Sequence, residues 1–252
     1  MPKKSLGQNF LIDHNIAKKI ASIVSSYTNY NVIEVGPGNG FLTDYIIKKN
    51  PKKLILIEKD YKLYLKLKEK YKDNKKINIY NVDALTTKIY DKINKPKIII
   101  SNLPYNISIK LITNWLPKLK DYKGYFLMIQ KEVAERFKYI KKTNRLNLLA
   151  YLYSDYKKEF DVSENVFFPK PKVKSSVVSF KPNLKYNIDA NEFKNFTRII
   201  FSTKRKKILN NLLKNNEYKK ILINNKIPNI DLSKRSEDLK FQEIINIFLF
   251  LN

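Results

Sequence analysis

Short apolar runs alternate with segments of helical periodicity along the first two thirds of the chain. The apolar runs predict strands at 32–35, 54–57, 77–81, 98–100, 124–129 and 175–180. Apolar positions three or four residues apart predict helices at 13–27, 41–49, 61–71, 108–119 and 131–139. The stretch 147–160 fits either a helix or a strand. Strands that alternate with helices indicate an α/β fold with a mostly parallel sheet.

The pattern changes after Asn183. From Asn191 to the C-terminus only helical periodicity is present, in a segment dense in Lys and Asn. We therefore predict an α/β domain at 1–183 and a small all-helical domain at 184–252.

The charge of the chain indicates a polyanionic partner. Lys and Arg number 50 against 23 Asp and Glu, which gives a net charge of +27 over 252 residues. Such an excess is larger than solubility requires, and we favour nucleic acid over an acidic membrane as the partner. No apolar run reaches the ~18 residues of a transmembrane helix, so we expect a soluble, cytoplasmic protein.

The chain has no cysteine and one histidine, which restricts its chemistry. Disulfides, thiolate-bound zinc and thiol catalysis are excluded. A Ser-His-Asp triad or a multi-histidine metal site would depend on His14 alone. Its position after Asp13, at the start of a helix, favours a solvated side chain instead. We expect no metal site.

A glycine-rich loop follows the first long strand. Three of the five glycines in the chain, Gly36, Gly38 and Gly40, fall between that strand and a helix. Glycines at such a turn let the backbone approach a ligand at a helix N-terminus. The dinucleotide fingerprint does not fit, because its third glycine is missing. With Glu34, the spacing Glu-x-Gly-x-Gly-x-Gly resembles the loop of class I S-adenosylmethionine-dependent methyltransferases.

Two acidic residues support a nucleoside cofactor. Glu58 ends the second predicted strand, where a carboxylate can accept both ribose hydroxyls. Asp83 follows the third strand and could accept from the adenine amino group of the cofactor. Strand ends are often capped by acids, so each alone is weak evidence, but two in series behind a glycine loop are stronger.

The segment Asn102-Leu103-Pro104-Tyr105 follows the fourth strand and is typical of amino methyltransferases. An adenine amino nitrogen is a poor nucleophile because its lone pair is delocalised into the ring. The Asn102 side-chain oxygen and the Pro104 carbonyl can each accept one N–H bond, which aims the lone pair at a methyl donor. Tyr105 can stack on the base. We take all four residues as the candidate catalytic loop.

Across nearly the whole chain the sequence is similar to the KsgA/RsmA-type small-subunit rRNA adenine N6,N6-dimethyltransferases. The segments that carry the resemblance are 5–11, 102–108, 130–134, 167–175, 201–212 and 235–239. The resemblance implies a class I methyltransferase fold, which is Rossmann-like with a mostly parallel seven-stranded sheet, followed by the small C-terminal all-helical domain.

The resemblance also implies which residues bind the cofactor and which bind the substrate. With the loop and the acids, the candidate cofactor contacts are Gln8, Asn9, Leu11, Glu34, Gly36, Gly38, Gly40, Glu58, Asp83, Ala84 and Asn102. The candidate substrate contacts are Tyr105, Phe167, Lys204, Arg205 and Lys206. The implied reaction uses S-adenosylmethionine, releases S-adenosylhomocysteine, and dimethylates two adjacent adenines in a 3′-terminal hairpin of small-subunit rRNA. The implied partner is a pre-assembled ribosomal subunit, bound by a monomer in the cytoplasm or an organelle.

Some positions depart from the family pattern. Val82 replaces a glycine before Asp83, 144–147 differs from a Gly-Arg-Leu-Ser-like segment, and Lys204 replaces an arginine, which keeps the charge but loses the bidentate fork. Two alternatives stay open. One is a large-subunit rRNA dimethyltransferase of the macrolide-resistance type, in which isoleucine usually replaces Leu103. The other is a non-catalytic ribosome-assembly or transcription factor on the same fold.

Overall fold

A computed structural model describes residues 8–138, 141–183, 185–186, 188–203, 205–225 and 230–252. The chain divides into two compact units. The first comprises the chain up to Glu135 together with Tyr153–Asn183, and the second comprises Arg136–Leu152 together with Leu184–Asn252.

The strands lie in the first unit. They are β1 (Phe10–Leu11), β2 (Asn31–Val35), β3 (Lys53–Glu58), β4 (Ile77–Asn81), β5 (Lys97–Asn102), β6 (Tyr122–Gln130), β7 (Ser154–Val162), β8 (Phe167–Phe168) and β9 (Ser175–Pro182). Among the described residues, seven strands form one sheet in the order β4-β3-β2-β5-β6-β9-β7, and β1 pairs with β8 separately. Neighbours from β4 to β6 are parallel, whereas β9 is antiparallel to β6 and β7. The predicted mostly parallel seven-stranded sheet is confirmed.

The helices follow the predicted alternation. They are α1 (His14–Ala21), α2 (Phe41–Ile47), α3 (Tyr61–Lys70), α4 (Ile89–Lys92), α5 (Tyr105–Trp115), α6 (Lys131–Phe137), α7 (Arg145–Tyr153), α8 (Ala190–Ile200), α9 (Ile208–Leu212), α10 (Asn216–Asn224) and α11 (Phe241–Leu251). None of the helices in the described part of the chain is long and apolar enough to cross a bilayer.

Helices pack on both faces of the sheet. On β6, Phe126 lies in a buried cluster with Ile20 of α1 and Ile46 of α2. The adjacent Tyr125 points to the opposite face, since side chains alternate along a strand. There its hydroxyl donates to the carbonyl of Trp115 in α5 at 2.8 Å, and the two rings lie 5.8 Å apart. Burial on both faces explains why the strands are continuous apolar runs.

Several predicted boundaries were wrong. The first helix ends at Ala21 rather than near 27, because the amides of Ser22 and Ile23 bond to carbonyls three residues back and tighten the last turn. The helix predicted at 108–119 begins at Tyr105 and ends at Trp115, where a 3-10 helix over Leu116–Asp121 replaces it. The ambiguous stretch contains both elements, because α7 passes directly into β7.

The second unit includes Arg136–Leu152, which the predicted domain division placed before the boundary. Within this unit Thr143 donates from its amide to the carbonyl of Glu237 at 2.9 Å and from its hydroxyl to that of Leu239 at 2.6 Å. The ring of Tyr151 lies 4.6 Å from that of Phe241. These contacts join residues about ninety positions apart, which periodicity along the chain does not show.

Candidate active site

A cleft of about 1030 Å³, including its opening to solvent, lies at the carboxyl ends of the parallel strands. Open α/β sheets bind ligands at this edge. The predicted residues that line the cleft are Gln8, Asn9, Leu11, Glu34, Gly36, Gly38, Glu58, Asp83, Ala84, Asn102, Leu103, Pro104 and Tyr105. The structure therefore brings together nearly all of the candidate cofactor contacts and the whole candidate catalytic loop.

Two glycines of the loop make room for other parts of the site. Gly36 has φ +65°, and a Cβ there would lie 3.2 Å from the Pro104 ring. Gly38 has φ +61°, and a Cβ there would lie 2.8 Å from the ring of Phe10. Even without these close contacts, the left-handed backbone conformations at both positions would favour glycine. The loop thus leaves room for the candidate catalytic segment and for Phe10 beside the cleft.

Gly40 has a different role and does not line the cleft. A Cβ at this position would overlap the Tyr71 hydroxyl, which lies 3.0 Å from the Gly40 carbonyl and 2.7 Å from Asp44 Oδ1. Lys70 also reaches the second oxygen of Asp44 at 2.7 Å. The buried hydroxyl therefore anchors the start of α2. Sequence reasoning missed Tyr71, because the contact joins residues 31 positions apart and no local pattern marks it.

Removing this hydroxyl by Tyr71→Phe is expected to lower the free energy of unfolding by about 1–3 kcal/mol, because buried polar partners lose their hydrogen bond. Tyr61→Phe is the matched control, since Tyr61 begins α3, the helix that Tyr71 follows, and is 61% exposed, so its change should stay within ~0.5 kcal/mol. Denaturant unfolding of the two variants measures both effects. Equal stabilities would show that Tyr71 does not anchor the loop.

Glu34 is a buried carboxyl on β2 beneath the loop. Burial raises its pKa to about 8, although the Thr43 hydroxyl donates to Oε2 at 2.7 Å and opposes the shift. The neighbouring carboxylates of Asp44 and Glu58 raise the pKa further. A cationic ligand in the cleft would favour the ionised form of Glu34, because opposite charge stabilises a buried carboxylate.

Glu58 ends β3 and is almost fully buried. Its Oε2 accepts from the Gly38 amide at 3.2 Å and its Oε1 accepts from the Asp60 amide at 2.8 Å. Burial raises the pKa of Glu58, and these two amide bonds oppose the rise. A carboxylate can accept about four bonds, so positions remain for two ligand hydroxyls. Glu58 thus holds the glycine loop in place, and its remaining acceptor positions can bind a ribose at the same time.

Asp83 lies at the more exposed rim of the cleft. Lys59 Nζ contacts its Oδ2 at 2.8 Å, and the Leu85 amide donates to its Oδ1 at 2.8 Å. Chiefly the hydrogen bond from Lys59 lowers the pKa of Asp83. The side chain therefore stays ionised and acts only as an acceptor. Lys59 also lines the cleft, and no sequence signal distinguished it from the other lysines.

The amide of Asn102 has a defined orientation at the end of β5. Its Nδ2 donates to the backbone carbonyl of Asn9 at 3.2 Å. Among the described groups none donates to Oδ1, which leaves this oxygen as an acceptor at the cleft. The next residue is held as well, because the Leu103 amide donates to the Met128 carbonyl at 3.1 Å and the Leu103 side chain is buried. Leu103 therefore contributes packing rather than a polar group.

Pro104 and Tyr105 form the turn into α5. The Pro104 carbonyl accepts from the Ile107 amide at 3.2 Å, and its second lone pair remains available. The Tyr105 hydroxyl lies 2.6 Å from Ser175 Oγ at the start of β9, which fixes the ring at the cleft. Partial burial raises the pKa of Tyr105, so the phenol stays neutral.

Phe167, a further substrate candidate, does not line the cleft. Phe167 is 3% exposed and pairs with Leu11 in the core, whereas the next ring, Phe168, is 63% exposed. Side chains of successive strand residues point to opposite faces, so only one of the two can face solvent. Lys204 lies outside the described residues. Arg205 and Lys206 are exposed in the second unit.

Comparison with known proteins gives one consistent family. The model of the family "Ribosomal RNA adenine dimethylase" matches residues 2–252. A "Ribosomal RNA small subunit methyltransferase A" of Wolbachia sp. subsp. Drosophila simulans (strain wRi) is 40% identical over 250 residues, or 96% of this chain and 90% of the relative. A protein of the same name from Pelagibacter ubique (strain HTCC1062) is 41% identical over 81% of this chain and 80% of its own.

Two solved structures share the fold. A dimethyladenosine transferase from Plasmodium falciparum aligns with a TM-score of 0.75 at 27% identity, over 95% of this chain and 96% of its own. The 23S rRNA methyltransferase ErmE aligns with a TM-score of 0.69 at 20% identity, over 96% of this chain and 99% of its own. At that identity the second likeness concerns the fold alone.

Proposed function

The chain belongs to the ribosomal RNA adenine dimethylase family, and from that premise we propose that it dimethylates N6 of two adjacent adenines in a 3′-terminal hairpin of small-subunit rRNA. The observation that carries the proposal is the oriented Asn102 amide. Its Nδ2 is held by the Asn9 carbonyl, so its Oδ1 faces the cleft as a hydrogen-bond acceptor.

The cleft has the chemistry that S-adenosylmethionine would need. The donor supplies an electrophilic methyl group on a sulfonium when bound. Glu58 would accept the ribose hydroxyls, and Asp83 would accept from the adenine amino group. Glu34 lies below the loop with a pKa of about 8, so a cationic donor would shift it toward its ionised form. Gly36 and Gly38 leave room for Pro104 and Phe10 beside the loop.

The catalytic loop would orient the target nitrogen. Asn102 Oδ1 and the second lone pair of the Pro104 carbonyl would each accept one N6–H, which brings the nitrogen nearer tetrahedral geometry. Tyr105 presents its ring beside them, with its hydroxyl fixed by Ser175. These groups position the nucleophile, and positioning supplies much of the rate in transfers between two bound partners.

The partner and setting follow from the same proposal. The substrate would be rRNA in a pre-assembled small subunit, and the enzyme would act as a monomer in the cytoplasm. The net charge of +27 supports a phosphate-rich partner. Two of the relatives are named as small-subunit methyltransferases, and these names favour small-subunit over large-subunit rRNA as the substrate. The intact Asn102–Tyr105 segment supports catalysis over a purely structural role in assembly.

Incubation of unmethylated small and large ribosomal subunits with isotope-labelled S-adenosylmethionine tests the function. We expect mass spectrometry of the digested rRNA to find labelled N6,N6-dimethyladenine in the small-subunit RNA only. Two labelled methyl groups on each of two neighbouring adenines are expected. Label confined to the large subunit would instead support the macrolide-resistance type of enzyme, and absence of label from both would support a non-catalytic factor.

A further inference from the structure

Three cationic side chains of the second unit lie together. Arg145 begins α7, and Lys194 and Arg198 lie one turn apart on α8. The charge of Arg198 helps to lower the pKa of Arg145, and both arginines help to lower that of Lys194, although burial is the larger cause in each case. Arg145 also bonds to Thr197, which lies between Lys194 and Arg198 on α8, so the three groups are neighbours.

Thr197 orients the guanidinium of Arg145. The buried Thr197 hydroxyl accepts from Arg145 Nε at 3.3 Å and donates to the Lys194 carbonyl at 3.0 Å. Both bonding directions of the hydroxyl are thus used. The contact fixes the Nε edge of Arg145 and leaves its two terminal amino groups for another acceptor, since a guanidinium carries five N–H donors.

The arginines lack a carboxylate partner. Among the described residues, neither Arg145 nor Arg198 forms an ion pair, although Arg145 is half-buried. Other cations of this unit do form such pairs, as Lys142 does with Glu237 at 2.7 Å. Holding like charges together near a partly buried position costs free energy, and buried charges are usually paired. The arrangement is therefore suited to an anion from outside the chain.

We propose that Arg145, Lys194 and Arg198 form a binding site for a backbone phosphate of rRNA. Arg145 would donate two parallel hydrogen bonds from its terminal amino groups, and Lys194 and Arg198 would add charge beside it. None of these three residues belongs to the basic motif at 204–206 that the family resemblance indicates. The inference rests on the proposed function, because it takes rRNA as the partner.

Binding of purified small-subunit rRNA at a series of salt concentrations tests the site. Arg145→Ala and Arg198→Ala should each weaken binding about ten-fold, because hydrogen bonds to charged groups are among the stronger ones. Each should also flatten the dependence of log affinity on log salt by about 0.7–0.9. Arg145→Lys should keep the salt slope and lose affinity, since lysine retains the charge without the fork. Cofactor affinity should be unchanged in all three variants.

Lys220→Ala is the charge-matched control. Lys220 is exposed on α10 of the same unit, so its loss should change binding little and leave the slope unchanged. If the arginine variants bind rRNA like wild type or like Lys220→Ala, the phosphate site is refuted. Arg198→Ala keeps the test informative if Arg145→Ala misfolds, because Arg198 is exposed. Failure of wild type to methylate rRNA would instead contradict the proposed function.

Discussion

Asn102→Ala is expected to lower the rate of methyl transfer by about 10²–10³, as the loss of one positioned hydrogen-bonding group does in other enzymes. The variant loses the Oδ1 acceptor that would hold one N6–H of the target adenine. It also loses the bond from Nδ2 to the Asn9 carbonyl at 3.2 Å. Single-turnover assays with labelled donor measure the rate, and filter binding of rRNA should give an unchanged affinity.

Asn102→Asp separates the two functions of the side chain. Aspartate keeps an oxygen where Oδ1 lies, but it places a second oxygen against the Asn9 carbonyl, and two acceptors repel. We therefore expect activity between those of wild type and Asn102→Ala. Asn224→Ala, at an exposed end of α10, is the control and should retain full activity. Full activity in Asn102→Ala would refute the catalytic role.

Glu58→Ala is expected to raise the dissociation constant of S-adenosylmethionine by at least about 100-fold. Two ribose hydroxyls would lose their carboxylate acceptor, and each such bond contributes ~1.5–3 kcal/mol. In the wild-type protein the Gly38 amide donates to Glu58 Oε2 at 3.2 Å, and this bond holds the loop in place. The variant loses this bond as well. Isothermal titration calorimetry with the donor measures the change directly.

Glu69→Ala is the matched control for this prediction. Glu69 lies on α3 with a side chain that is 75% exposed, and its ion pair with Lys72 contributes little in solvent. Circular dichroism should report a folded protein for both variants. Wild-type affinity for the donor in Glu58→Ala would exclude the ribose contact while leaving the assignment of the catalytic loop intact.

The sequence predicted the sheet well, and it predicted most of the cleft. Strand positions follow from short apolar runs, and parallel strands bring their carboxyl ends to one edge. Glu58, Asp83 and Asn102 therefore meet at one cleft because each ends or follows a strand. The boundaries of the helices were harder to predict. The end of α1 and the start of α5 depend on which carbonyls accept hydrogen bonds from the terminal amides.

Other features depended on contacts far apart in sequence. Gly40 resembled a ligand-loop glycine, but its position against Tyr71 gives it a packing role. Phe167 resembled a base-stacking residue, but pairing of β8 with β1 turns it toward the core. A two-residue strand has no detectable periodicity, so the sequence could not show which of the two phenylalanines is exposed.

By itself the sequence determined the fold class, the strand-end positions of the acids and the position of the candidate catalytic loop. Local periodicity and short motifs carry that information. Only the tertiary structure decided the orientation of the Asn102 amide and the grouping of Arg145 with Lys194 and Arg198. Both depend on groups from segments that are distant along the chain, the backbone carbonyl of Asn9 in one case and the side chains of α8 in the other. Such proximity is set by packing, which no pattern along a single sequence records.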